Sequence, residues 1–220
     1  MQYKHQYVDG TAVDLPVGKV ICVGRNYAEH AAELDNPVPS QPMLFMKPST
    51  AVADMAEPLE IPLDYGEVHY ETEIAILIGE PLKNANKFVV EGAIAGIGLG
   101  LDLTLRDLQS KLKERGYPWE KAKAFDASCP LSAFVEPAAV ADIDDVSLSL
   151  TVNGELRQAG SSRLMVHKIY ALIAYMSHHF TLLPGDVVMT GTPAGVGAIN
   201  PGDRLLLELA DLLRVETHIL

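Results

Sequence analysis

The chain has 220 residues, 48% of them hydrophobic and 21% charged, with 17 glycines and 14 prolines spread along it, which excludes disordered, collagen-like and low-complexity chains. Lys plus Arg number 17 against 29 Asp plus Glu, a formal net charge of −12, so a broad basic face for nucleic acid or anionic lipid is not expected. Two cysteines, Cys22 and Cys129, make no disulfide framework and read as reduced thiols. The first residues carry no apolar signal region, and the longest apolar stretch, Ala93 to Leu101, is far short of the ~20 residues of a membrane helix. The expectation is a cytoplasmic protein of one domain over residues 1–220, with no membrane or nucleic-acid partner.

In chain order, Lys19 to Val23 and Met43 to Met46 read as short strands, with a short helix between them over Asn26 to Leu34. Asn26 is the predicted cap of that helix, and Pro37 stops it. Tyr70 to Ile78 has the β-branched content of a strand, and Ile94 to Leu101 is the most apolar segment of the chain. The spacing predicts a second helix over Thr104 to Arg115, with Thr104 and Asp107 at capping-box separation, Leu105, Leu108 and Leu112 on one face, and Gly116 and Pro118 at its end. Ser147 to Val152 alternates polar and apolar before Asn153-Gly154, the pair that favours a tight hairpin. A third helix is predicted over Leu164 to Ser177, with a core stripe of Ile169, Leu172, Ile173 and Met176. Pro184-Gly185-Asp186 and Pro201-Gly202-Asp203 each precede an apolar run and read as turns leading into strands. The fold class is a strand-rich α+β domain.

In Tyr70-Glu71-Thr72-Glu73-Ile74 the strand period puts Glu71 and Glu73 on one face, with Thr72, Ile74, Ile76 and Ile78 on the core face opposite. Two carboxylates side by side repel, and a sheet tolerates them where the face is hydrated or a cation lies between. Asp102 ends the apolar run and needs a partner there; read alone, it is also an ordinary cap or salt-bridge residue before the next helix. An oxygen-only set of three carboxylates suits Mg2+ or Mn2+. Neither zinc-ligand spacing nor a phosphate-binding loop motif occurs. His30 and Glu33 lie three apart, on one face of the first helix, where a carboxylate can orient an imidazole; by pattern alone such a pair is more often a solvated face.

The ordered motifs Gly24-Arg25-Asn26-Tyr27-Ala28-Glu29-His30, Glu67-Val68-His69-Tyr70-Glu71-Thr72-Glu73, Asp102-Leu103-Thr104-Leu105-Arg106-Asp107, Lys121-Ala122-Lys123-Ala124-Phe125-Asp126 and Gly191-Thr192-Pro193-Ala194-Gly195-Val196-Gly197 resemble the fumarylacetoacetate hydrolase family, in its short branch of acylpyruvase and oxaloacetate decarboxylase-like enzymes. The resemblance implies a mixed β-sheet roll with a few helices, Mg2+ or Mn2+ on Glu71, Glu73 and Asp102, and a homodimer. It implies that His30 and Glu33 act as a catalytic dyad on a lid and that Lys123 steadies developing negative charge. Arg25, Arg106, Gln109, Gly191 and Thr192 become substrate-binding residues, with the glycine-rich backbone approaching the substrate carboxylate. His69 is a residue behind the first layer of the site, and Lys121 and Lys47 are lesser candidates, read as surface charge.

The activity implied is metal-dependent cleavage of small 2-oxo or 2,4-dioxo acids. Acylpyruvate hydrolysis to pyruvate and a carboxylic acid leads, with oxaloacetate decarboxylation beside it. The alternatives within the family are a keto–enol tautomerase of oxaloacetate and an isomerase or decarboxylase of 2-hydroxyhepta-2,4-diene-1,7-dioate; outside it, a non-catalytic 2-oxo acid binding module.

Overall fold

The computed structural model describes residues 3–35 and 37–220; Met1, Gln2 and Asn36, which fall within the N-terminal and first-loop readings above, lie outside the described residues. Its main sheet runs β2 (Met43–Lys47), β1 (Val20–Gly24), β11 (Val187–Met189), β5 (Thr72–Ile78), β6 (Ile94–Leu101), β8 (Cys129–Val135) and β3 (Val52–Asp54). The β1/β11 and β3/β8 pairs are parallel and the others antiparallel. A second sheet runs β10 (Glu155–Ser161), β9 (Ser147–Val152), β13 (Arg204–Leu209) and β14 (Leu213–His218), and a third joins β12 (Gly197–Ile199), β4 (Val68–Tyr70) and β7 (Thr104–Leu105). The helices are α1 (Ala28–Glu33), α2 (Lys87–Glu91), α3 (Arg106–Glu114), α4 (Glu120–Lys123) and α5 (Ile169–His179). Among the described residues no helix is long and apolar enough to cross a membrane.

The main sheet is covered on both faces. Ile74, Ile76 and Ile78 belong to the larger core with Leu148, Leu150 and Leu207 of the second sheet and Ile169, Leu172, Ile173 and Met176 of α5. Ala75 and Leu77, which alternate with them, belong to a separate core with Val187, Met189, Leu131 and Phe134, against which Tyr3, Tyr7, Val13 and Leu15 of the N-terminal segment pack. Every residue of β5 is therefore buried. Cys22 and Cys129 are unpaired in this second core, where burial pushes the Cys129 thiol up to about 12.

The hairpin forms as the sequence requires, while the three helices begin later than their spacing predicts. Asn153 and Gly154 adopt φ of 53° and 82°, turning β9 into β10 as the hairpin reading required. Asn26, however, caps nothing: the residue flanking α1 is Tyr27, with no side-chain cap. The Asn26 amide instead donates to the carbonyls of Thr190 (2.8 Å) and His167 (3.0 Å), and its oxygen accepts from the His167 N–H (2.8 Å). That capture pins the bend at Val166 and His167; Ser162–Leu164 forms a separate 3-10 turn, and the third helix begins at Ile169 rather than Leu164. The second helix begins at Arg106 because Thr104 and Leu105 pair with β4, and the Thr104 hydroxyl donates to Asp102 O rather than capping. Its predicted end holds, with Gly116 at φ 66° donating to the Lys113 carbonyl.

Gly96, Gly98 and Gly100 of β6 face the second core, and they let β8 and Met189 come close. A Cβ at Gly98 would stand 2.9 Å from the Ala133 carbonyl oxygen and 3.0 Å from Phe134 Cδ1. Backbone cannot step aside as a flexible side chain can. Gly98→Ala should cost about 1–3 kcal/mol of stability by overpacking, read as a lowered urea midpoint; an unchanged midpoint would show that β8 gives way freely.

Candidate active site and metal centre

The antiparallel register of β5 and β6 places Glu73 opposite Gly100 and Thr72 opposite Leu101, and the Asp102 N–H donates to Glu71 O (2.8 Å). Residues 71 and 73 thus share a face with Asp102, at the end of the sheet where the two strands part. All three are buried: Glu71 is 6% exposed, Glu73 1% and Asp102 1%. An open hydrated face that would have relieved their repulsion is absent, because Lys123, Arg106 and α1 crowd over the carboxylates. One oxygen from each lies within 4.8 Å of the others.

Cations supply part of the relief. Lys123 Nζ donates to Glu71 Oε2 (2.8 Å) and Asp102 Oδ2 (2.7 Å), bridging two of the carboxylates from the last turn of α4. Arg106, the first residue of α3, donates from Nη2 to Glu71 Oε1 (2.6 Å) and from Nη1 to Gln109 Oε1 (2.7 Å). Its Nε donates to His69 Nδ1 (3.3 Å), and His69 in turn bonds Glu67 through Nε2 (3.0 Å), so His69 does stand behind the site, orienting Arg106. Lys47 is no surface charge: it is 0% exposed and its Nζ lies 2.8 Å from Asp102 Oδ1. Strand alternation turns Lys47 inward from β2, beneath Asp102 and beside α4. Lys121 lies on the opposite side of α4, among the residues of a separate surface groove with Glu120 and Phe125.

Electrostatics divide the carboxylates. Burial raises the Glu71 carboxyl, but the Lys123 and Arg106 charges outweigh it and hold the group far below its ordinary value. Glu73 has no such partner: burial first, then the Asp102 charge, overcome the N–H of Gly191 and push it well above its ordinary value. Lys123 is lowered by burial but raised more by Asp102 and Glu71, to about 12.

Over this cluster sits α1. His30 Nδ1 is 3.1 Å from Glu33 Oε2, and the other Glu33 oxygen accepts from the Gly195 N–H (3.0 Å). A carboxylate only accepts, so Nδ1 carries the hydrogen, and in the neutral imidazole Nε2 then carries the lone pair. Gly191, at φ 96°, donates its N–H to Glu73 Oε2 (2.6 Å), so that amide serves a carboxylate of the chain itself rather than facing a substrate as expected. Thr192 Oγ1 accepts from Gln158 Nε2 (2.7 Å), and Gln158 Oε1 accepts from the Thr72 N–H (3.0 Å). Gln158 is 1% exposed on an otherwise exposed strand, and nothing in the pattern around it marked it. Arg25, in the left-handed region at φ 61°, makes no ion pair among the described residues and borders the same space as His30, Arg106, Gln109, Lys123 and Thr192. Phe45 and Trp119, 6.2 Å apart between centroids, close one wall of that space. The cavity is about 40 Å³.

The donor set fits a divalent ion. It is all oxygen, which suits a hard cation, and Asp102 Oδ1 is buried without a hydrogen bond, an oxygen with a lone pair to give. Glu73 supplies a pH signature. The unfolded chain binds this proton only below about 4.5, while the folded chain keeps it to higher pH. The stability it contributes is therefore present below 4.5 and fades as pH climbs through the folded value. An ion that displaces the proton removes this loss, so the Mn2+-induced thermal shift should grow with pH across the same window. Glu73→Gln should abolish the shift and its pH dependence; an undiminished shift in that variant would place the ion elsewhere.

The family model described as fumarylacetoacetate (FAA) hydrolase C-terminal matches residues 19–220. The chain is 56% identical over 205 residues to oxaloacetate tautomerase YcgM of Escherichia coli (strain K12), covering 92% of this chain and 93% of that one. It is 42% identical over 200 residues to the mitochondrial oxaloacetate tautomerase FAHD1 of Bos taurus, covering 91% and 90%. Among solved structures it resembles fumarylpyruvate hydrolase from Pseudomonas aeruginosa in complex with Mn2+ and pyruvate, with TM-score 0.92 and 35% identity over 100% of this chain and 96% of that one. The fold, the five motifs and these likenesses agree: the chain belongs to the fumarylacetoacetate hydrolase family, a family of enzymes.

Proposed function

We propose that this protein is a divalent-metal-dependent keto–enol tautomerase of oxaloacetate. The observation that carries the reading is the 56% identity to the E. coli oxaloacetate tautomerase along nearly the whole chain. It reverses the order of the expectations from sequence, in which acylpyruvate hydrolysis stood first and tautomerisation second. Glu71, Glu73 and Asp102 would hold the ion, and their oxygen-only chemistry favours Mg2+ or Mn2+. When bound, such an ion supplies Lewis-acid stabilisation of negative charge on the 2-oxo oxygen of a substrate.

The rest falls to side chains. Tautomerisation moves one proton from C3 of the 2-oxo acid to its C2 oxygen, with no net gain or loss. His30 Nε2, freed by the Nδ1 bond to Glu33, is the proton carrier: it takes the C3 proton and returns it to oxygen. Arg25, Arg106 and Lys123 border the cavity and give a dianionic acid a cationic seat. Gln109, its carbonyl held by Arg106, and Thr192 complete the polar wall. Neither leaving group nor water is required.

Hydrolysis of acylpyruvates is the second reading, favoured by the same His30–Glu33 pair, which suits a base that activates water. The deciding measurement follows enol absorbance and pyruvate release in parallel, with purified protein, Mg2+ or Mn2+, a metal-only blank and a chelator control. The expected outcome is chelator-sensitive acceleration of enol–ketone interconversion of oxaloacetate with little pyruvate. His30→Ala should slow it about 10²-fold or more. Pyruvate from acetylpyruvate, with oxaloacetate interconverting only at the blank rate, would replace the tautomerase by the hydrolase.

A further inference from the structure

Among the described residues, Lys47 is one of the largest side chains that the fold buries completely. Its ammonium has three hydrogens, and three neutral oxygens receive them: the Lys123 carbonyl, the Ser128 carbonyl (3.0 Å) and Ser128 Oγ (3.1 Å). Asp102 Oδ1 is 2.8 Å away, yet it has no hydrogen bond. The carboxylate thus meets Lys47 as an ion pair at short range, with no aligned hydrogen bond between them. Its other oxygen differs, since Oδ2 accepts directly from Lys123.

We propose that Lys47 is a positioning residue for the metal site, a place-holding charge that balances Asp102 while the site is empty and leaves Oδ1 open as a ligand atom. In the metal-free protein, the buried carboxylates keep their places because an ammonium stands beside them. With the ion bound, the same ammonium repels it, so Lys47 gives up metal affinity in return for a site that is formed before the metal arrives. The inference rests on the divalent-ion site and is independent of which reaction the site performs.

The test reads stability and binding rather than turnover. Lys47→Met removes the charge and the donors, whereas Lys47→Gln removes the charge and keeps a donor for the carbonyls. Melting temperatures are measured with and without Mn2+, and Mn2+ affinity is followed through Trp119, the one tryptophan of the chain and part of the cavity wall. Both variants should melt lower than the parent without metal and close to it with saturating Mn2+. Their Mn2+ affinity should be roughly tenfold tighter, the direction set by removing a like charge at short range. Equal losses with and without Mn2+, at unchanged affinity, would make Lys47 purely structural and overturn the proposal. So would failure of both variants to fold even in Mn2+, because the ion must be able to stand in for the ammonium. Absence of any Mn2+ response in the parent protein would remove the metal site and the proposal together, while a negative tautomerase assay with a normal Mn2+ response would leave Lys47 intact and remove only the reaction.

Discussion

Three carboxylates with almost no access to water, set at the end of the two central strands, are the constraint around which the rest of this molecule is arranged. Ionised groups in such a place cost several kcal/mol each unless charge and hydrogen bonds answer them. The answers come from every side: Lys123 from α4, Arg106 from α3, Lys47 from β2 and the Gly191 N–H from the loop after β11. Each of these in turn needs holding. His69 holds Arg106, Ser128 holds Lys47, and Gln158 ties Thr192 to the start of β5. The elements around the sheet end are thereby drawn to one point by electrostatics as much as by packing.

The uneven treatment of the carboxylates gives the site its character. Glu71 has two cationic partners and is held as an anion, whereas Glu73 has a single backbone N–H and retains a proton well above the usual range. Of these two carboxylates, Glu73 is thus the one whose proton is held more firmly. A divalent ion held by Glu71, Glu73 and Asp102 would convert that position into a full ligand, and its binding would be tied to proton release, as for any deprotonated ligand set. Arg25, Arg106 and Lys123 border the remaining cavity beside the carboxylates.

Much of this was legible in the residues. Glu71 and Glu73 were placed on one face by period alone, and the hairpin at Asn153-Gly154 followed from turn chemistry that only such residues satisfy. What the pattern could not convey was coverage. An alternating strand reads as half-exposed, with a core opposite Glu71 and Glu73 alone; the N-terminal segment, remote in sequence, packs on the other face as well. Lys47 was missed for the same reason, since a lysine in a strand beside proline reads as an edge residue until the chain is folded around it. Asn26 was misread because capping is a local rule and its partners are 141 and 164 residues away. Gln158 gave no signal at all. The ranking of reactions was also beyond the residues, because tautomerisation and hydrolysis ask for the same metal and the same imidazole.

The bonds of Asn26 bear on how the protein comes into being. One amide joins the segment before α1 to the segment before α5 and to the last residue before the glycine-rich loop. The carboxylates, the lysines and the His30 dyad are likewise drawn from stretches distributed along the chain, and contacts of such long sequence separation form slowly because loop closure must precede them. No contiguous fragment carries the site. A nascent or partly unfolded chain therefore lacks the assembled site, which arrives with the tertiary structure as a whole.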